Sequence, residues 1–295
     1  MAVQDNTLKT AWTGMAPVPE IDEDDYLRWK TMLENRTGMI LPKERRSFLV
    51  TSLGIRMREL GYNNFASYYD FINNGAQGKV EWSVLVDRLT VHETRFFRHP
   101  SSVELIREHL LPYWSTHPDK YASLHFWSVG CSTGEEPYTL AMLLDEFREQ
   151  EGCDYYYGVT ASDISLASLA TGRRGVYHAR KLRGVDEEIV ARYFRRVDDT
   201  HYEVDEALRK RICFAQMNVL DMARVPVGKV HLIMCQNLLI YFDRERRIEI
   251  LNNLARHLHP GGALILGSGE ILGWKPEGFE RIDYNDTLAF RFMPQ

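Results

Sequence analysis

The sequence predicts a doubly wound α/β domain that carries a small β insertion and follows a helical N-terminal domain. Three observations lead there. Short apolar runs alternate with helix-patterned segments from residue 124 onward. The stretch from 21 to 91 has helical spacing and no strand-like alternation. The α/β rhythm then breaks once, over about 172–214.

Taken in order, residues 1–20 are mixed and turn-rich and read as a flexible tail. The helical domain follows over 21–91. Leu27, Trp29, Met32 and Leu33 open one amphipathic segment. Pro42 stands where a first-turn proline is tolerated, and Phe48, Leu49, Leu53 and Leu60 recur at helical spacing up to a stop at Gly61. Two further helices are expected over 65–72 and 82–89. The second domain, 92–295, begins its rhythm with a strand at 124–129 ending at Gly130. Ser132-Thr133-Gly134 leads into a helix over 135–148 with Leu140, Leu143, Leu144 and Phe147 on one side. A strand at 155–161 precedes Asp163 and a helix at 166–171, and a third strand at 230–235 precedes a helix at 244–258. Pro260-Gly261-Gly262 reads as a turn before a fourth strand at 263–266. Tyr202-Glu203-Val204 makes the interruption look like an antiparallel subdomain.

Composition narrows the function. A length of 295 residues, 44% of them hydrophobic and 26% charged, suits a globular protein with a substantial core. A net charge of −5 argues against a nucleic-acid binder, which needs a basic footprint. No apolar run reaches the length of a membrane span, and the N-terminus lacks a signal-peptide pattern. Cys131, Cys153, Cys213 and Cys235 form neither a CxxC pair nor a zinc pattern, which fits a reduced cytoplasmic setting and no bound metal.

In an open α/β sheet, ligands bind beyond the carboxyl ends of the strands, and three features cluster there. The first is Trp127-Ser-Val-Gly-Cys-Ser-Thr-Gly-Glu-Glu-Pro-Tyr138, a strand that ends in a small-residue loop opening a helix. Glu135 and Glu136 at the helix start would repel phosphate and suit an ammonium or sulfonium; alternatively they only favour the helix dipole. The second is Asp163, placed to accept hydrogen bonds from a ribose diol, to cap the next helix, or both. The third is the polar pair Gln236-Asn237 after the third strand. Together they point to an adenosyl ligand, NAD or S-adenosylmethionine, and the absence of GxGxxG spacing weakens NAD. The run His92-Glu-Thr94-Arg95-Phe96-Phe97-Arg98 either lids a cleft or anchors a core.

These strings resemble the chemotaxis receptor glutamate methyltransferases, the CheR-type family. The likeness rests on Thr94-Arg-Phe-Phe-Arg98, the block from Trp127 to Tyr138, Ser162-Asp163-Ile164, Asn237-Leu-Leu-Ile-Tyr-Phe-Asp243, Leu258-His-Pro-Gly-Gly262 and Gly269-Glu270, in the family's order over residues 21–295. It implies methyl transfer from S-adenosylmethionine, with S-adenosylhomocysteine as product, to a glutamate on the cytoplasmic helical region of a methyl-accepting receptor. By motif position, His92, Thr94, Arg98, Glu136, Asp163, Asn218, Val219, Gln236 and Asn237 contact the cofactor. Arg98 and Tyr241 stand nearest the chemistry. A glutamate is ionised near neutrality, so such a transfer needs placement and dryness rather than a base.

Two positions depart from the family pattern. His92 replaces the usual asparagine, and Gln236 replaces an arginine. They support an alternative, a catalytically weak or inactive cofactor-binding regulator that docks on receptors. The resemblance also places the helix over 42–60 near the methylation site, where Arg45, Ser52 and Arg56 share a stripe if the helix is continuous. The stretch 194–204 is short and has no glycine, whereas family members that bind a receptor tail peptide there use a glycine-containing loop; no tail dependence is expected.

Overall fold

A computed structural model describes residues 19–90, 92–116, 123–152 and 155–294. Most of the expected tail, Val91 and Cys153 lie outside the described residues. The chain divides into two compact units, one taking residues up to 32 and 41–85, the other 33–40 and 86–295.

Four helices account for the first unit and its margins: α1 Glu23–Thr37, α2 Arg46–Glu59, α3 Phe65–Asn73 and α4 Gly75–Leu89. Glu23, Asp24 and Asp25 complement the positive end of α1. Asn64 caps α3 by accepting from Ser67 N. Trp29, Leu49, Leu53, Met57 and Tyr68 are fully buried, and the Trp29 indole donates to Phe65 O at 3.3 Å. The helix expected over 42–60 is not continuous. Pro42, in extended geometry, caps a 3-10 turn at Lys43–Arg45, and α2 starts only at Arg46. Arg45 and Arg56 therefore sit on different elements. Arg56 is also engaged: its Nε and Nη2 hold the buried Glu81 carboxylate at 2.7 and 2.6 Å, and Tyr68 donates to the same carboxylate.

The second unit is built on a seven-stranded sheet among the described residues. In chain order the strands are β1 Ser123–Val129, β2 Tyr156–Asp163, β3 Val176–His178, β4 Phe194–Arg196, β5 His201–Val204, β6 Ile212–Gln216, β7 Val230–Cys235, β8 Leu258–Leu266, β9 Phe279–Tyr284 and β10 Thr287–Phe292. The large sheet runs β6-β2-β1-β7-β8-β10-β9; its first five strands are parallel and the last two antiparallel. Along β1, Leu124 and Phe126 join one core cluster while Trp127 and Val129 join the other. Both faces are covered, which is why LHFWSV reads as a continuous apolar run. The helices Glu135–Gln150 and Arg244–Ala255 supply Leu140, Leu143 and Leu144 to one cluster and Ile250, Leu251 and Leu254 to the other.

The interruption is a separate antiparallel sheet, β3-β5-β4. Its far edge differs from the sequence reading, because β6 begins at Ile212 and pairs in parallel with β2. The turn expected at Pro260-Gly261-Gly262 is also absent. Those residues lie inside β8, where the register against β7 shifts between Val230 and Leu232 and Gly261 takes φ +81°. A bulge absorbs the missing proline N–H, and glycine supplies the left-handed residue it needs. The helix before it correspondingly stops at Ala255, short of Leu258.

Candidate active site

The site forms where β1 and β7 end. After Val129, Gly130 N and Cys131 N donate to Ser162 O at 2.8 and 3.0 Å, and Ser132 N donates to Asp163 Oδ2 at 2.8 Å. Gly134 caps the helix Glu135–Gln150 with φ +97°. A side chain there would be strained and would also stand 2.9 Å from the Tyr177 hydroxyl and 3.0 Å from Gly172 Cα. Tyr177, from the β3-β5-β4 insertion, donates to Thr133 O at 2.7 Å. The loop is thus strapped from two sides and exposes its backbone to a cavity.

That cavity encloses about 200 Å³. The segment before the short helix Pro100–Leu105 forms another of its walls. Phe96 is buried edge-on against Tyr177 and Phe194, so of the two sequence readings it is a core anchor. Phe97 takes a left-handed φ of +51° and donates its N–H to Thr139 Oγ1. Arg95 and Arg98 flank these aromatics, and both line the cavity. Arg98 Nη1 donates to Glu93 O at 2.6 Å.

The two adjacent glutamates differ in role. Glu135 is buried and paired with Lys181 Nζ at 2.8 Å, and that ammonium also donates to Thr94 O. Glu136 lines the cavity. Burial pushes its carboxyl up to about 8, against the hydrogen bond from Ser128 Oγ and the nearby Arg98 charge. Just past β7, Gln236 Nε2 donates to Ser102 Oγ and Leu266 O. Asn237, at φ +59°, accepts from His99 Nε2 at 2.8 Å. Glu270, carried in the sequence only as part of a matching string, turns out to position this loop. It is buried, accepts from Gly267 N at 2.7 Å, and faces the amides of Asn237, Leu239 and Ile240.

Of the residues assigned by motif, Thr94, Arg98, Glu136, Gln236, Asn237 and Tyr241 line this one cavity. His92, Asp163, Asn218 and Val219 are not among its lining residues. His92 bonds through Nε2 with Asp87 O and through Nδ1 with Ser168 Oγ, both at 2.9 Å. Asp163 lies under the loop, accepting from Ser132 N and Ser165 N. Asn218 caps the 3-10 turn Val219–Arg224 and donates to Arg36 O. Glu93 and Arg95, inside the run read as a lid or an anchor, line the cavity as well, and so does His99, which the sequence reading did not single out. Burial lowers the pKa of His99, which keeps it a neutral donor to Asn237. Its position directly after the Phe96-Phe97-Arg98 run was the available signal.

A family model described as CheR methyltransferase, SAM binding domain, matches residues 92–287, and the CheR methyltransferase all-alpha domain matches 24–90. The chain belongs to the CheR methyltransferase family. Among its relatives, chemotaxis protein methyltransferase 2 of Vibrio cholerae is 31% identical over 85% of this chain and 86% of its own length. The Escherichia coli chemotaxis protein methyltransferase is 30% identical over 85% of each chain, and that of Borreliella burgdorferi is 27% identical over 85% of this chain and 89% of its own. The cofactor is accordingly S-adenosylmethionine. The cavity suits it on its own terms. Ser132 Oγ and Gln236 Oε1 are buried with no partner among the described residues, leaving polar capacity for a ligand. Glu136 offers a half-buried carboxylate to a sulfonium or ammonium, and Arg98 offers a guanidinium to a carboxylate. Among the described residues no cluster is arranged to hold a metal ion, and no helix is long and apolar enough to cross a membrane.

Proposed function

We propose that this chain transfers a methyl group to glutamate side chains in the cytoplasmic helical region of a methyl-accepting chemoreceptor, forming glutamate methyl esters in sensory adaptation. The observation that carries this reading is one cavity lined by both charge types, with Glu136 and Arg98 half-buried and Arg95 exposed. When bound, the cofactor supplies a methyl on a sulfonium that departs as a neutral thioether, so transfer to a carboxylate consumes one anion and one cation and moves no proton.

The protein's share is therefore placement and desolvation, and orientation of this kind is worth roughly 7–11 kcal/mol. Glu136 stabilises the cationic end of the cofactor. Ser132 and Gln236 satisfy its polar groups, Asn237 is fixed for it by His99, and Arg98 orients a carboxylate. Tyr241, held through its carbonyl by Ile40 N at 2.8 Å, shapes the wall where the methyl passes. His92, Asn218 and Val219 complete the binding set by supporting the elements around it.

Asp163 acts twice. Each of its oxygens already accepts one backbone N–H and retains a lone pair for a ribose hydroxyl. Asp163→Ala is expected to weaken S-adenosylhomocysteine binding by about 1–3 kcal/mol in calorimetry. An unchanged affinity in a folded variant removes Asp163 from the site.

We take residues 21–91 as the helical docking domain and 92–295 as the methyltransferase domain, acting in the cytoplasm. A receptor tail peptide is not required. The β4–β5 connection has no glycine and is closed on Asp198, which accepts from Thr200 N and His201 N. The deciding experiment incubates the protein with methyl-labelled cofactor and a chemoreceptor cytoplasmic fragment, then treats the product with alkali. Volatile labelled methanol is expected, since a methyl ester releases it. A base-stable label, or none on the receptor, refutes the reading.

A further inference from the structure

Two different carboxylates must enter this cavity if the reading above holds, one on the amino-acid end of the cofactor and one on the acceptor. Two guanidiniums line it, and their surroundings differ. Arg98 is half-buried, bonded to Glu93 O, and close enough to Glu136 to favour its ionised form. Arg95 is exposed and takes no hydrogen bond or ion pair among the described residues. Nothing local explains its approach to the cavity as a structural contact.

The backbone explains why both point to one place. Phe96 is locked between Tyr177 and Phe194, and the left-handed Phe97 reverses the chain between the two arginines. Thr94 O is fixed by Lys181. The arginine at 95 is thus presented by a rigid segment with its side chain uncommitted. His99 does not compete for an anion, because it is neutral and occupied by Asn237.

We infer that Arg95 is the specificity residue for the acceptor, receiving the glutamate carboxylate at the mouth of the cavity while Arg98 serves the carboxylate of the cofactor. The inference rests on the glutamate reading of the acceptor. An unpaired guanidinium with its five donors is preorganised for a planar, bidentate anion. Its partner arrives with the substrate, so its contribution belongs to acceptor binding and not to cofactor binding. Glu93, also at the mouth, makes Arg95 more necessary, since an uncompensated acidic edge would repel the incoming carboxylate.

The test uses the full chain with a receptor cytoplasmic fragment. Arg95→Ala is expected to raise KM for the receptor about tenfold, with kcat and S-adenosylhomocysteine affinity within about twofold of wild type. Arg95→Lys, which keeps the charge but loses the fork, falls between them. Arg98→Ala shows the complementary pattern, a loss of S-adenosylhomocysteine affinity in calorimetry. Wild-type methanol release with an unchanged KM in Arg95→Ala overturns the assignment of Arg95 alone. A loss of S-adenosylhomocysteine binding in Arg95→Ala also overturns it, by placing this arginine on the cofactor. No methanol from the wild type overturns the glutamate reading and this inference with it.

Discussion

Binding of S-adenosylmethionine should tighten as pH rises through about 8, whereas binding of S-adenosylhomocysteine should stay nearly flat. The cause is Glu136. Burial holds its carboxyl largely protonated at neutral pH in the free protein, with Glu270 pushing the same way and Ser128 and Arg98 opposing. A sulfonium beside it favours the ionised form, so cofactor binding releases a proton. The thioether product carries no such charge. Both ligands share the same α-amino group, so the difference between their pH curves isolates the sulfonium. Glu136→Gln should flatten that difference and cost about tenfold in S-adenosylmethionine affinity at high pH. Calorimetry in buffers of different ionisation heat measures the released proton directly. Superimposable curves for the two ligands would sink the assignment. Without ligand, the sign for stability is opposite. A carboxyl raised from 4.5 to about 8 on folding contributes stability that is complete below the lower value and lost as pH climbs through the upper. Glu136→Gln should be less sensitive to pH over that window.

Arg56→Ala should destabilise the helical unit by about 3–5 kcal/mol, the cost of leaving a buried carboxylate without its cation. Glu81 is 4% exposed and depends on the two-pronged contact from Arg56 together with the Tyr68 hydroxyl. Removing the arginine strands a charge that has no route to water. Arg56→Met combined with Glu81→Gln should recover much of the loss, because it removes both charges and keeps apolar volume. Urea denaturation followed by circular dichroism gives the values. A loss under about 1 kcal/mol, the range of exposed pairs, would show that the contact is not sustained. Any receptor-docking test on this face has to rest on Arg45, since a charge reversal at Arg56 would be read as lost docking when it is lost folding.

Of the parallel strands, β1, β2, β7 and β8 were legible as short apolar runs, whereas the half-exposed edge strand β6 was absorbed into the interruption. The C-terminal hairpin also leaves a sequence signal. Phe279–Tyr284 and Thr287–Phe292 flank Asn285-Asp286, a two-residue turn of the kind that favours hairpins, and Asn285 takes φ +43°. The β8 bulge was hidden for the opposite reason: Pro-Gly-Gly is a turn signal everywhere except where a register shift absorbs it. In the site, charge type was readable and geometry was not. Glu135 and Glu136 are neighbours in sequence, yet one pairs with Lys181 and the other faces the cavity. Only the long-range arrival of Lys181 from the insertion separates them. Arg56 looked like a surface residue for the same reason, since its partner Glu81 comes from another helix.

The insertion deserves to be seen as a fastening and not as a cassette. Tyr177 ties it to Thr133, and Lys181 ties it to both Glu135 and Thr94, on the two segments that wall the cavity. A chimera that exchanges residues 176–204 between relatives therefore exchanges two clamps along with whatever that sheet recognises. A graft of this sheet requires that both clamps travel with it or stay behind intact, since dropping either one loosens the segments that wall the cavity.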